Sequence, residues 1–222
     1  MREAYPAVAS RQVVIPGGVD TARFRREPFA EAGRRLRLSL GLDEAYVGLL
    51  LARHPRLKGA DAAVLALARP EVRSLTPPFH LWVAGGALPG GLRRRARRLG
   101  VAGRIRETGG TEDPRPLYAA ADLLVHPTHY DPCSLVGLEA LAMGLPVLTT
   151  AANGIVELMD GGRRGGALLE AATPEAVARG IVRFVDADRR RVAAEEARAV
   201  AVSNPLADRL DRLLAVCGAR TS

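Results

Sequence analysis

Cysteine is scarce in this 222-residue chain. Cys133 and Cys217 stand far apart, which excludes a disulfide framework and suits a reducing, cytoplasmic compartment. No uninterrupted apolar run reaches the length of a membrane span, and Met1-Arg2-Glu3-Ala4-Tyr5-Pro6 lacks the apolar core of a signal peptide. A soluble chain is expected. Lysine is almost missing: 31 arginines accompany a single lysine, Lys58, in a chain of net charge +8. Such a bias follows genome composition more than physics, and it makes Lys58 informative. Where arginine serves at every other basic position, a lone lysine marks a site asking for a compact ammonium instead of a planar fork. Aromatics are not interleaved with the basic residues and no nucleic-acid motif occurs, so nucleic acid is not an expected partner. Apolar content is ordinary, and the length suits one large domain with a real core.

The chain is organised around residues 121–150. Ala121-Asp122-Leu123-Leu124-Val125-His126-Pro127 reads as a buried strand stopped by proline. Pro132 suits a first helical position and Ser134 offers an acceptor beside it. Leu135, Leu138, Leu141 and Ala142 then recur at helical spacing until Gly144, and Pro146 to Thr150 starts another strand. Strand, loop, helix, strand is a unit of a parallel sheet, whose loops bind ligands at the carboxyl edge. The helix start offers unpaired N–H groups and the positive end of a dipole, a seat for phosphate. Two acids frame it. Asp131 precedes the helix and Glu139 lies about two turns along, roughly 10 Å away at 1.5 Å per residue, a separation suited to two ends of one extended ligand.

This stretch resembles the carboxylate-x7-carboxylate signature of the retaining nucleotide-sugar glycosyltransferases of GT-B fold, family 4. The strand before it and Gly144-Leu145-Pro146-Val147 after it agree. The family's first acid is usually Glu, and Asp131 stands there instead. Asp131-Pro132-Cys133 also resembles lipopolysaccharide-core glucosyltransferases and starch-synthase-like enzymes. Val13-Val14-Ile15-Pro16-Gly17-Gly18-Val19-Asp20 reads as a short buried strand breaking into a glycine turn, and its part from Ile15 is similar to the family element that enters the second domain. Residues 47–52 form an apolar strand followed by Arg53-His54-Pro55-Arg56-Leu57-Lys58-Gly59 and a helix from Ala60 to Ala68. The resemblance implies that Arg53 and Lys58 clamp the donor diphosphate, Arg in bidentate fashion and Lys as a point charge. Further strands are expected at 79–84, 101–107 and 166–169, with helices between and after them.

Six strands alternating with helices predict an α/β fold: a doubly wound, Rossmann-like parallel sheet with helices on both faces. By resemblance it is one domain, 1–222, the C-terminal half of a GT-B enzyme, with its core at 13–205. A terminal helix over 206–222 would pack on an N-terminal domain not contained in the chain. Its apolar side, Leu206, Leu210, Leu213 and Leu214, is then expected to be exposed. The implied activity is transfer of a hexose from a nucleoside diphosphate sugar, a UDP-sugar favoured, with retention of configuration and no metal. The acceptor would be a glycan or glycolipid such as lipopolysaccharide. Glu139 would hold the ribose, Asp131 the sugar, and Arg53, Lys58 and the N–H groups at Ser134, Leu135 and Val136 the diphosphate, with Arg106 and Glu107 near the nucleobase. The arginine-coated helix Arg93–Arg98 allows either a solvated face or peripheral contact with an anionic membrane at the cytoplasmic side. Asp186-Ala187-Asp188 matches an Asp-x-Asp metal motif of another fold, but among terminal helices it is read as no metal site. Two alternatives stay open: a nucleotide-sugar-binding module without turnover, or a sugar-nucleotide epimerase of the same fold.

Overall fold

The computed structural model describes residues 12–218. The Met1–Pro6 reading and the last residues of the 206–222 helix fall outside that range. Six strands form one sheet: β1 Tyr46–Ala52, β2 Phe79–Gly85, β3 Ile105–Thr108, β4 Leu123–His126, β5 Val147–Thr150 and β6 Gly166–Leu169. The order is β3-β2-β1-β4-β5-β6, and every neighbouring pair is parallel. The helices are α1 Ala30–Ser39, α2 Ala60–Ala66, α3 Pro70–Arg73, α4 Gly90–Arg98, α5 Arg115–Ala120, α6 Leu135–Ala142, α7 Ile155–Leu158, α8 Pro174–Arg183, α9 Ala187–Val202 and α10 Leu206–Gly218.

Alternation along β1 supplies both faces, since successive side chains of a strand point to opposite sides. Tyr46, Leu50 and Ala52 join the core under α2, α4 and α8, while Val47 and Leu49 join the one under α5, α6 and α9. At the amino edge, arginine acts as a clamp. Arg37 donates to the carbonyls of Leu42, Ala45 and Ala120 and pairs with Asp122, whose other contact is the Val47 N–H at 2.8 Å. Arg198 donates to Thr21, Phe24 and Ala142 carbonyls from α9. Five donors on one rigid fork satisfy several carbonyls at loops and helix ends at once.

The chain steps from β1 outward to β3, then returns to lay β4 on the other side of β1. β1 is laddered to β2 along its whole length but to β4 only at Gly48–Leu123 and Leu49–Leu124. The two central strands therefore part before their carboxyl ends, and the crevice at this reversal is where open α/β sheets hold ligands.

Three expectations are corrected. Residues 13–15 form no strand: Val13 and Val14 are exposed, and only Val19 makes a bridge, to Pro205. The third strand starts at Ile105, because Ala102–Arg104 is a 3-10 turn. Pro132 is not the first helical residue. The loop is held out of α6 by Asp131, whose N–H bonds the Ala152 carbonyl and whose carbonyl accepts from Gly154, so the helix begins at Leu135 with Ser134 as its N-cap.

Two glycines hold the crevice edge. A Cβ on Gly86 would meet the Arg53 carbonyl at 2.2 Å. Gly59, at φ +79°, would place one 2.1 Å from the Pro127 carbonyl, so the loop after β1 can lie on the loop after β4 only without a side chain there. Gly59→Ala is expected to destabilise the fold by about 2 kcal/mol or more, combining positive φ with a backbone clash. The check is the urea midpoint, which should fall with an unchanged m-value.

Candidate functional site

The site grows from the two loops at the β1–β4 crevice. Leu57, in the first, gives its carbonyl to the His129 N–H at 3.0 Å and the Thr128 hydroxyl at 3.2 Å, in the second. The next residue, Lys58, reaches across with its side chain. Its Nζ lies 2.7 Å from Asp131 Oδ2 and 3.2 Å from the Tyr130 carbonyl. Arg53, one residue past β1, is exposed, and its guanidinium has no recorded partner among the described residues.

Beneath Asp131 lies a buried polar floor from β4 and β5. His126, the last residue of β4, is 1% exposed. Its Nε2 stands 3.3 Å from Asp131 Oδ2 and 3.4 Å from Ser134 Oγ. Thr149 donates to the His126 carbonyl, and Asn153 Nδ2 donates in turn to Thr149 Oγ1. Asn153 Oδ1 accepts from the N–H groups of Ser134 and Ile155. Gly154, not Asn153, is the N-cap of α7, but the Asn153 oxygen ties the start of α7 to the approach of α6.

The start of α6 carries donors of the kind that hold anions. Ser134 Oγ accepts from Gly137 N–H and the Ser134 carbonyl from Leu138 N–H. Neither Leu135 N–H nor Val136 N–H has a recorded partner, which leaves two orphan donors at the positive end of the helix. Glu139, half-buried, stands little more than one turn into α6, nearer its start than expected, because the helix begins late. Tyr118, on α5, donates to Glu139 Oε2 at 2.7 Å, and Oε1 is left as an acceptor. Glu139 and Leu135 line a cavity of about 230 Å³ with Asp20, Arg23, Phe24 and Arg209. Lys58 does not line that cavity; it is linked to the N-cap of α6 through Asp131 and His126, whose Nε2 lies near Ser134 Oγ.

The electrostatics follow from these contacts. Burial pushes the Asp131 carboxyl up, but hydrogen bonds from His126 and Lys58 and the ammonium charge outweigh it and hold it down at about 2. Burial drives the His126 imidazole below its ordinary value against the pull of Asp131, so it is neutral. Burial pushes Glu139 up, opposed by the Tyr118 hydroxyl and the charge of Arg23.

Some expected residues lie elsewhere. Arg106 spends its guanidinium on the Leu40, Gly103 and Ile105 carbonyls, and Glu107 is paired with Arg93 at 2.8 Å and accepts from Leu88 N–H, fixing α4 to β3. Neither is free for a nucleobase. Asp186 caps α9 by accepting from Arg189 N–H. Conversely, His126 and Tyr118 were not singled out from the sequence as site residues. The histidine ending a strand just before the loop proline was the available signal; Tyr118, packed with Phe24 at 6.5 Å between ring centres, reads as core.

His126 also sets a pH dependence. A group whose folded pKa lies below its unfolded value contributes stability in full above the unfolded value, and loses it as the pH falls, because the unfolded chain takes up a proton that the fold excludes. The loss should begin near 6.5, the ordinary histidine value. In thermal melts from pH 7.5 to about 5, the wild type is expected to lose more Tm than His126→Gln; equal slopes would remove His126 from the account.

The sequence pattern of the family described as glycosyl transferases group 1 matches residues 45–187. The D-inositol 3-phosphate glycosyltransferase of Streptomyces avermitilis is 36% identical over 193 residues, covering 82% of this chain and 41% of its own length. That of Thermomonospora curvata is 34% identical over 209 residues, covering 85% of this chain and 47% of its own. The chain thus spans less than half the length of these curated relatives. Among solved structures, HepE of Anabaena in complex with UDP and glucose aligns with a TM-score of 0.82 at 26% identity, over 95% of this chain and 57% of HepE. WaaG, a glycosyltransferase involved in lipopolysaccharide biosynthesis, aligns with a TM-score of 0.79 at 28% identity, over 92% of this chain and 56% of WaaG. The C-terminal domain of the group 1 protein LpcC from Francisella tularensis shares the fold, with a TM-score of 0.69 at 22% identity, over 84% of this chain and 97% of that domain. The chain belongs to the glycosyl transferases group 1, family 4, and its sheet is the C-terminal half of a GT-B fold.

Proposed function

We propose that this chain is the donor-binding domain of a retaining hexosyltransferase that uses a nucleoside diphosphate sugar, UDP-glucose being the favoured donor. One observation carries the reading: at the sheet reversal, the only lysine meets Asp131 beside two unpaired N–H groups of α6, with Glu139 one turn further in. A diphosphate against Leu135 N–H and Val136 N–H is within the helix's positive field, and Arg53 and Lys58 add two cations as the leaving group gathers charge. Glu139 Oε1 accepts ribose hydroxyls, its other oxygen being fixed by Tyr118. Asp131 accepts from the sugar. The UDP and glucose of HepE support the choice of base and sugar.

The acceptor is a hydroxyl-bearing polyol or glycolipid. The curated relatives are named for D-inositol 3-phosphate and WaaG for lipopolysaccharide biosynthesis. In this reading the acceptor meets the donor across a cleft completed by an N-terminal domain, and the chain alone is inactive. The exposed leucines of α10, Leu206, Leu210, Leu213 and Leu214, suit a surface covered by such a domain. No helix among the described residues is long and apolar enough to cross a membrane. Arg94, Arg95, Arg97 and Arg98 of α4 are exposed with no recorded partner among the described residues, and at about 1 kcal/mol each they suit peripheral contact with an anionic cytoplasmic leaflet. Sedimentation with vesicles containing phosphatidylserine should retain the wild type at low salt and release the variant with all four arginines replaced by glutamine.

Calorimetric titration with UDP, GDP and ADP tests the donor reading. UDP is expected to bind best, with Lys58→Ala and Glu139→Ala each weakening it about tenfold or more, as for a lost hydrogen bond to a charged group. Unchanged affinity in both variants rules the reading out. A non-catalytic binding module would show the same binding but no transfer when an N-terminal domain from a relative is supplied.

A further inference from the structure

His126 is buried and neutral, and its two ring nitrogens are not equivalent. Nδ1 has no hydrogen-bond partner and no access to solvent. A proton there would be a sealed, unpaired donor, whereas a proton on Nε2 points at the Asp131 carboxylate 3.3 Å away. The Nε2–H tautomer is therefore the stable one. Lys58 Nζ reaches the same carboxylate oxygen, Oδ2, at 2.7 Å. Two donors from two different strand ends thus converge on Oδ2, while Oδ1 has no recorded partner and is not among the sealed polar atoms.

We propose that His126 is a positioning residue for the donor sugar: with Lys58 it pins Asp131 by Oδ2, so that Oδ1 is presented as the single acceptor for one sugar hydroxyl. An aspartate has two side-chain torsions, and a single donor leaves its carboxylate free to swing about that contact. A second donor on the same oxygen, from a side chain held by the buried end of β4, removes the swing. Lys58 cannot do this alone, since it is drawn towards any phosphate at the helix start. When it shifts to the diphosphate, His126 keeps Oδ2 occupied and the acceptor in place. The imidazole adds no charge, so it orients the acid without neutralising it. Its Nε2 also lies 3.4 Å from Ser134 Oγ, which couples the sugar-holding acid to the cap of the phosphate-binding helix. The proposal rests on the reading of Asp131 as the acid that meets the sugar.

Titration of the full chain with UDP and with UDP-glucose separates the two ideas. The informative variants are His126→Gln, whose amide nitrogen falls near the position of Nε2, and His126→Asn, whose shorter amide falls near Nδ1 and out of reach of Asp131. His126→Asn is expected to weaken UDP-glucose about tenfold while changing UDP by less than about twofold, and His126→Gln to restore UDP-glucose to within about threefold. Asp131→Ala should produce the same selective loss, with no further loss in the Asp131→Ala, His126→Asn double variant. Equal weakening of both ligands by His126→Asn, no weakening of UDP-glucose, or failure of His126→Gln to restore it overturns the positioning role while leaving the donor reading intact. A wild type that binds neither ligand overturns both. Thermal melts of each variant, compared with the wild type, identify any loss that is only unfolding.

Discussion

The Lys58–Asp131 ion pair is the contact on which the rest of this site depends. Its partners come from loops that the chain order separates by more than seventy residues and the sheet reversal brings together. Both side chains are largely withdrawn from water, at 21% and 12% exposed, so desolvation opposes the pair. The opposition is met by further hydrogen bonds. Lys58 also donates to the Tyr130 carbonyl, His126 also donates to Asp131, and the backbone of Asp131 is held by Ala152 and Gly154. Gly59 permits the approach by leaving room for the Pro127 carbonyl. A charge pair of this kind contributes little net stability, but it fixes the two loops in one register.

Much of this was legible because the sheet writes its pattern plainly. Buried parallel strands are continuous apolar runs, and β1, β4 and β5 read that way; the helix start at Ser134 carries a hydroxyl, which accepts from the third residue on. Spacing and resemblance singled out Arg53, Lys58, Asp131 and Glu139, and the fold brings Lys58 and Asp131 into contact. What failed was local chemistry decided at long range. Pro132 has the right shape for a helix start, yet the bridge between Asp131 and Asn153 takes the loop first. Val13 to Ile15 are β-branched, but no neighbouring strand edge receives them. Arg106 looked available near a strand end, but its fork reaches the Leu40 carbonyl, in a loop no spacing rule connects to it. His126 and Tyr118 were hidden for the opposite reason. Each is buried, and a buried histidine or tyrosine is usually structural; only the distances to Asp131 and Glu139 distinguish these two.

The arginines divide into two populations that composition cannot separate. Arg26, Arg37 and Arg198 are folded inward to carbonyls at helix ends and loops, where a lysine's single ammonium could not serve several acceptors set in a plane. Arg94, Arg95, Arg97 and Arg98 stay outside, on a helix whose buried residues are Leu92 and Ala96. A net charge of +8 therefore overstates the mobile surface charge in one region and understates it in another. Lys58 is the exception to both groups, since its task is a point contact made with one carboxylate oxygen and one carbonyl.

The charge balance of the crevice gives the site its direction. Lys58 and Asp131 cancel and His126 is neutral, which leaves the guanidinium of Arg53 and the partial positive charge at the start of α6 at one end and the Glu139 carboxylate at the other. On the proposed reading, a dianionic ligand would meet a field already oriented before it arrives, and little reorganisation would be needed as charge moves onto it. If Lys58 turned to that ligand, Asp131 would lose its strongest partner, and the carboxylate would be held only by the neutral His126 and by whatever hydroxyl bonded Oδ1. Binding of a sugar beside the diphosphate would then make good the contact that the phosphate took away. On the proposed reading, the two halves of a nucleotide sugar would be coupled through one acid, and a free diphosphate and an intact donor would not be equivalent ligands for this crevice.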